Sequence, residues 1–219
     1  MIWSFRMTQN TFRRSRVALV GGLPLIALSS AVMAHHPMGS TVPMGAASGF
    51  LSGLGHPVIG IDHFAFLLGL GALTALQRGA ALLMPLAFVL AGLLGTVAAS
   101  AGFLPLHTSV GIGLSLIGLG AALWLGYHGN THWAIGGVAL AGGLHGLAYG
   151  TAVLGAETTA LWAYLLGLGL VQLTLVTSVR WLTRRALSFA RAQATLLVQR
   201  SGAALGLGGL AMTLGAAWL

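Results

Sequence analysis

The chain has 219 residues, of which 57% are hydrophobic and only 5% charged. Soluble domains average about 25% charged residues, which excludes a soluble globular domain, and the absence of cysteine excludes disulfides and thiolate metal sites. The formal charge of +8 comes from arginines set against Asp62 and Glu157 alone; these arginines stand at the ends of apolar runs, where they read as topology determinants and not as a nucleic-acid surface.

The N-terminus reads as a cleavable signal peptide over residues 1–34. Arg6, Arg13, Arg14 and Arg16 form a basic region, Val17 to Leu28 an apolar one, and "VMA" a small-residue cleavage site ending at Ala34. Residues 35–56 then form a periplasmic N-terminal segment. His35 and His36, with Met38 and Met44, are candidates there for collecting a soft metal; the competing reading is a short polar tail.

Residues 57–219 read as an all-α, polytopic transmembrane domain. Its apolar runs, at 57–76, 80–99, 107–126, 132–150, 159–180 and 201–219, approach the roughly 20 residues a helix needs to cross a bilayer. Six spans are therefore expected, joined by short turns except for one basic connection at 181–200. That connection carries Arg184, Arg185, Arg191 and Arg200 and is expected to extend a helix or lie in the interface. If the first span starts outside, Arg78 and the later arginines all fall on the cytoplasmic side. The localisation that follows is the bacterial inner membrane, with the mature N-terminus in the periplasm. Gly142, Gly146 and Gly150 make a small-residue stripe on the fourth span, which suits close packing in lipid and needs no chemistry.

The first span opens with "GLGHPVIGIDH". Its polar groups His56, Asp62 and His63 fall near the outer boundary, Asp62 and His63 roughly 8–9 Å below it at about 1.5 Å per residue. The fourth span runs the other way and brings His145 to the same depth. Charged side chains at membrane depth are costly and commonly mark a substrate path, and imidazole with carboxylate suits a divalent transition metal. Pro57 and Gly60 favour an interrupted helix that aims several groups at one ion. Each residue also has a plainer reading: Asp62 as a helix cap, His56 as an interfacial residue before a proline, His145 as a partner for a neighbouring helix. Tyr149, one turn from His145, fits an aromatic belt or the site. His128 and His132 flank the inner loop "HGNTH", where Gly129 and Asn130 favour a turn over a helical metal pair. Glu157 lies in an outer loop, either adding charge at the entrance or simply solvated.

"HPVIGIDHFAFLLGLG" resembles the H-P-x-x-G-x-D-H signature of the HupE/UreJ family, small nickel and cobalt permeases with a signal peptide and about six helices. The resemblance implies that His56, Asp62 and His63 serve metal uptake. A second family motif resembles H-G-x-A-H-G-x-E. Here it reads "HGLAYGTA", so His145 matches, Tyr149 stands for the second histidine and Ala152 for the glutamate. Leu67 replaces a methionine that usually follows the first motif.

The expected function is secondary transport of a divalent transition metal, nickel foremost and cobalt next, from periplasm to cytoplasm, with His56, Asp62, His63 and His145 as ligands. The metal is substrate, no tightly bound cofactor is expected, and the chain is not read as an enzyme. No G-x-x-x-x-G-K-[ST] is present to make a P-loop. The partners are the metal ion and the lipid bilayer, with a homo-oligomer open and nucleic acid not expected. The alternatives are an intramembrane zinc hydrolase and a haem-binding membrane subunit using His63 and His145 as axial ligands.

Overall fold

The computed structural model describes residues 42–77 and 82–216, and these are helical with no strand among them. The helices are α1 (Gly45–Ile59), α2 (Ile61–Leu76), α3 (Leu83–Ser100), α4 (Thr108–Trp124), α5 (Thr131–Thr151), α6 (Thr158–Phe189) and α7 (Arg191–Ala216). The signal peptide expected at 1–34, His35, His36 and Arg78 lie outside the described residues.

The expected break in the first span is present. Helices α1 and α2 meet at Gly60 and bend by 77°. Gly60 is extended (φ −71°, ψ 103°), and its N–H still reaches the His56 carbonyl at 3.1 Å while its own carbonyl accepts from Phe64 N at 2.8 Å. One backbone hydrogen bond on each side of Gly60 is thus kept at the bend. Pro57, inside the last turn of α1, removes one backbone donor just before it. The residues from 45 to 56, expected as a segment ahead of the helical domain, form most of α1 and pack along α6.

Helices α3 and α6 are each long and apolar enough to cross a membrane, the bent pair α1–α2 makes a third such span, and α4 is a shorter apolar helix. With 32 residues, α6 is about 48 Å long and overshoots a hydrocarbon core of about 30 Å. Its far end carries Arg180, Arg184 and Arg185. Arg180 Nη1 donates to the Thr74 carbonyl, and Arg184 Nη2 to that of Gln77 at 3.3 Å. These arginines satisfy carbonyls at the C-terminal end of α2, where cations are favoured. The basic connection at 181–200 is therefore helix on either side of Ala190.

Three seams hold the helices together: α3 with α5, α4 with α7, and α1 with α6. Glycine makes each seam close. A Cβ on Gly142 or Gly146 would run into the carbonyls of Phe88 and Gly92 of α3, one on Gly53 into that of Tyr164 of α6, and one on Gly202 into that of Gly120 of α4. The expected packing role of the Gly142–Gly146–Gly150 stripe is borne out. In lipid, backbone proximity of this kind replaces the hydrophobic drive to associate. Thr96 ties the α3–α5 seam by donating to the Gly92 and Gly146 carbonyls at 2.9 and 3.1 Å. The main core lies between α2, α3 and α4 around Phe66, Leu67, Leu70, Phe88, Leu116 and Leu119. The polar cluster sits at its edge.

Candidate metal site

Four helices deliver buried imidazoles and phenols to one place. His56 comes from the last turn of α1, His63 from the first turn of α2, His145 and Tyr149 from α5, and Tyr164 from α6; none is more than 1% exposed. The bend at Gly60 is what joins the first two. Seven residues of straight helix would separate the rings by roughly 10 Å along the axis, yet the His56 and His63 ring centroids are 5.9 Å apart. Gly60 also makes room for the result, since a Cβ there would lie 2.8 Å from Cδ2 of His63. Tyr149 fills the space between the two imidazoles, 5.1 Å from His56 and 4.3 Å from His63 between ring centres. Phe66 closes the far side of His145 at 4.6 Å.

Taking each ring as neutral, the hydrogen-bond partners assign which nitrogens hold protons. Ser115 Oγ lies 2.7 Å from the Ile112 carbonyl and 3.0 Å from His145 Nε2. A carbonyl only accepts, so the hydroxyl proton goes to Ile112, and the second contact requires His145 Nε2–H to donate to Ser115. With one proton per ring, His145 Nδ1 is then an acceptor. It lies 2.8 Å from His63 Nδ1, which must donate, and the lone pair of His63 is left on Nε2.

Tyr164 repeats this logic for His56. Its hydroxyl lies 3.1 Å from the Tyr149 carbonyl, to which it donates, and 2.7 Å from His56 Nδ1. His56 Nδ1–H therefore donates to the phenol oxygen, again leaving the lone pair on Nε2. Two chains that end on backbone carbonyls thus set His56 and His63 in the same tautomer. Neutral imidazole is the form that ligates a metal.

The other predicted residues are placed as follows. Asp62 is half-buried in the first turn of α2, where Oδ1 accepts the His63 N–H at 2.9 Å; the helix begins at Ile61 with Gly60 as its N-cap, so Asp62 is not the cap of a helix starting at His63. Glu157 is exposed at the N-cap of α6 and accepts the Gly45 N–H at 2.8 Å, so it joins the starts of α1 and α6. His128 is exposed in the turn before α5 and His132 is exposed in its first turn. Asn130 caps that helix by accepting the His132 N–H at 2.8 Å, so the two histidines share no helical face. Among the described residues no three His, Asp or Glu side chains stand together as a metal cage. The cluster that forms is imidazole, phenol and hydroxyl.

Sequence reasoning does not single out Ser115, Tyr164 or Gln172. Ser115 and Tyr164 orient the histidines. Gln172 is fully buried on α6, two turns beyond Tyr164. A usable signal exists: Tyr164, Leu168, Gln172 and Val176 recur every four residues on one buried face of α6, so polar groups interrupt a stripe that packing alone would keep apolar.

Apolar helices, one broken span and a cluster of buried histidines between them define the class: a helical membrane protein with a polar site inside its bundle. The family model described as HupE / UreJ protein matches residues 23–212. The chain belongs to the HupE/UreJ family, a family of transporters and not of enzymes, and its role lies in metal transport. No curated protein and no solved structure matches it.

Proposed function

We propose that the chain is a secondary permease for a divalent transition metal, nickel foremost and cobalt next, working from periplasm to cytoplasm. His56 and His63 supply the imidazole ligands of the recognition site, His145 orients His63, and Asp62 supplies negative charge at the outer edge. The ion sheds water at the break between α1 and α2, is taken by imidazole, and moves inward between the helices.

One observation carries this reading. Histidines from α1 and α2, on either side of a helix break, meet a third from α5 in one fully buried cluster. Polar, ionisable groups placed within an apolar helical bundle are costly and mark a substrate path, and imidazole is a favoured ligand for nickel and its neighbours. A buried cluster with one half-buried carboxylate also suits passage better than storage, because a site that conducts must release what it takes.

The test is accumulation of nickel, cobalt, copper and zinc in cells expressing the wild type or Asp62→Asn at matched membrane levels. Uptake of nickel or cobalt that falls at least about tenfold in the variant is expected. Equal accumulation with and without the wild-type protein would overturn the reading.

A further inference from the structure

Below the imidazole cluster, α6 carries a second buried polar position. Gln172 lies eight residues from Tyr164 and eight from Arg180, about 12 Å of helix in each direction. Its side chain is completely buried, and neither its amide oxygen nor its amide nitrogen closes a hydrogen bond with a described residue. The Tyr149 hydroxyl, also fully buried, lies beside the amide as a polar neighbour, without closing a hydrogen bond of good geometry. One phenol hydroxyl cannot satisfy the carbonyl oxygen and both N–H donors of an amide together. Part of the amide therefore lacks a partner among the described residues, deep within a helix long enough to span the membrane.

Such a group is expensive. An unsatisfied polar group in hydrocarbon costs several kcal/mol, and each one in a folded protein calls for an explanation such as water or an ion. The neighbours of Gln172 along its own face, Leu168 and Val176, are buried and apolar, so a leucine or methionine would pack there without this cost. Arg180, the next polar group on the stripe, is engaged with the Thr74 carbonyl. Gln172 is thus the one polar position on this face between Tyr164 and Arg180.

We propose that Gln172 is a transfer site for the transported cation: its amide oxygen, with the Tyr149 hydroxyl beside it, ligates the divalent ion after it leaves the imidazoles. This rests on the permease reading above. Tyr149 links the two positions, since its ring lies against His63 while its hydroxyl lies beside Gln172. The chemistry suits a transient stop. A neutral amide oxygen binds a transition metal more weakly than imidazole, so it accepts the ion without trapping it, as conduction through successive sites requires.

The test compares Gln172→Met, which keeps the shape and removes both polar atoms, with Gln172→Glu, which keeps an oxygen. Three quantities are measured: initial nickel uptake at matched membrane levels, nickel affinity of the purified protein in detergent, and its melting temperature. For Gln172→Met we expect uptake to fall at least about tenfold, affinity to stay within about threefold, and the melting temperature to hold or rise, because a buried unsatisfied amide is gone. Gln172→Glu retains more uptake than Gln172→Met. Unchanged uptake in Gln172→Met would overturn the transfer site, as would a melting temperature that falls along with uptake, which is the signature of a packing residue. If the wild type carries no metal, the permease reading fails and the transfer site fails with it; if the wild type carries nickel and Gln172→Met does so equally, only the transfer site fails.

Discussion

The Nδ1 atoms of His63 on α2 and His145 on α5 lie 2.8 Å apart, and Ser115 on α4 decides which of them donates. The serine does so from a distance, by taking the His145 Nε2–H after giving its own proton to the Ile112 carbonyl. Three helices therefore cooperate to set one lone pair on His63.

Ser115→Ala should expose that dependence. It leaves the buried His145 N–H without its acceptor, a loss of about 1–3 kcal/mol, and frees His145 to take the other tautomer. Loss of an outer partner of this kind lowers metal affinity by about 10–100-fold. Ser115→Thr keeps the hydroxyl and is expected to recover most of the affinity. Nickel titration of the purified variants checks both, and equal affinity in alanine and wild type would remove Ser115 from the site.

Tyr164→Phe addresses the parallel chain on His56. The ring and its packing beside Tyr149, Val153 and Leu168 remain, but the phenol oxygen that accepts from His56 Nδ1 is gone. We expect nickel uptake to fall by about 10-fold or more while helix content stays unchanged. Uptake and circular dichroism on the same preparation separate loss of orientation from loss of fold.

Gly60→Ala tests the break itself. The backbone there (φ −71°, ψ 103°) suits any residue, so alanine introduces no backbone strain. Its Cβ would, however, stand 2.8 Å from Cδ2 of His63, and the ring must turn away from His145. The expected result is a protein that folds and inserts normally but binds nickel at least about tenfold more weakly. Wild-type affinity in Gly60→Ala would mean that the His63 ring position is not what the site depends on.

Much of this arrangement was legible in the sequence, and the reasons divide by residue. His56, Asp62 and His63 stand out because polar groups are rare in so apolar a chain, and Pro57 with Gly60 announces the bend. The glycines of α5 announce their seam through a spacing of four. Helix α1 was hidden because "GAASGFLSGLGHPVI" is rich in glycine and serine, which favour helix weakly; its contacts with α6 carry it. Ser115, Tyr164 and Gln172 were hidden for another reason. Each is a single polar residue in an apolar run, and only the packing of α4 and α6 against α2 and α5 reveals what it faces. The tautomers follow only from distances to the Ile112 and Tyr149 carbonyls, which no residue spacing reports.

The seams make the last prediction, which concerns stability and not transport. Gly146 of α5 lies so close to α3 that a Cβ would collide with the Gly92 carbonyl, whereas Gly137 on the same helix has nothing within 4 Å of an added Cβ. In lipid the association of α3 and α5 depends on backbone contact, so Gly146→Val forces the helices apart and also breaks the Thr96 bond to the Gly146 carbonyl. Overpacking of this sort costs about 1–3 kcal/mol, and a clear fall in melting temperature in detergent is expected. Gly137→Ala adds a methyl in open space and removes a helix-weakening glycine, a gain of up to about 1 kcal/mol. The pair controls for the generic effect of replacing glycine in α5. If both variants melt together with the wild type, close approach at Gly146 contributes nothing to stability, and the α3–α5 seam must be held by its side chains.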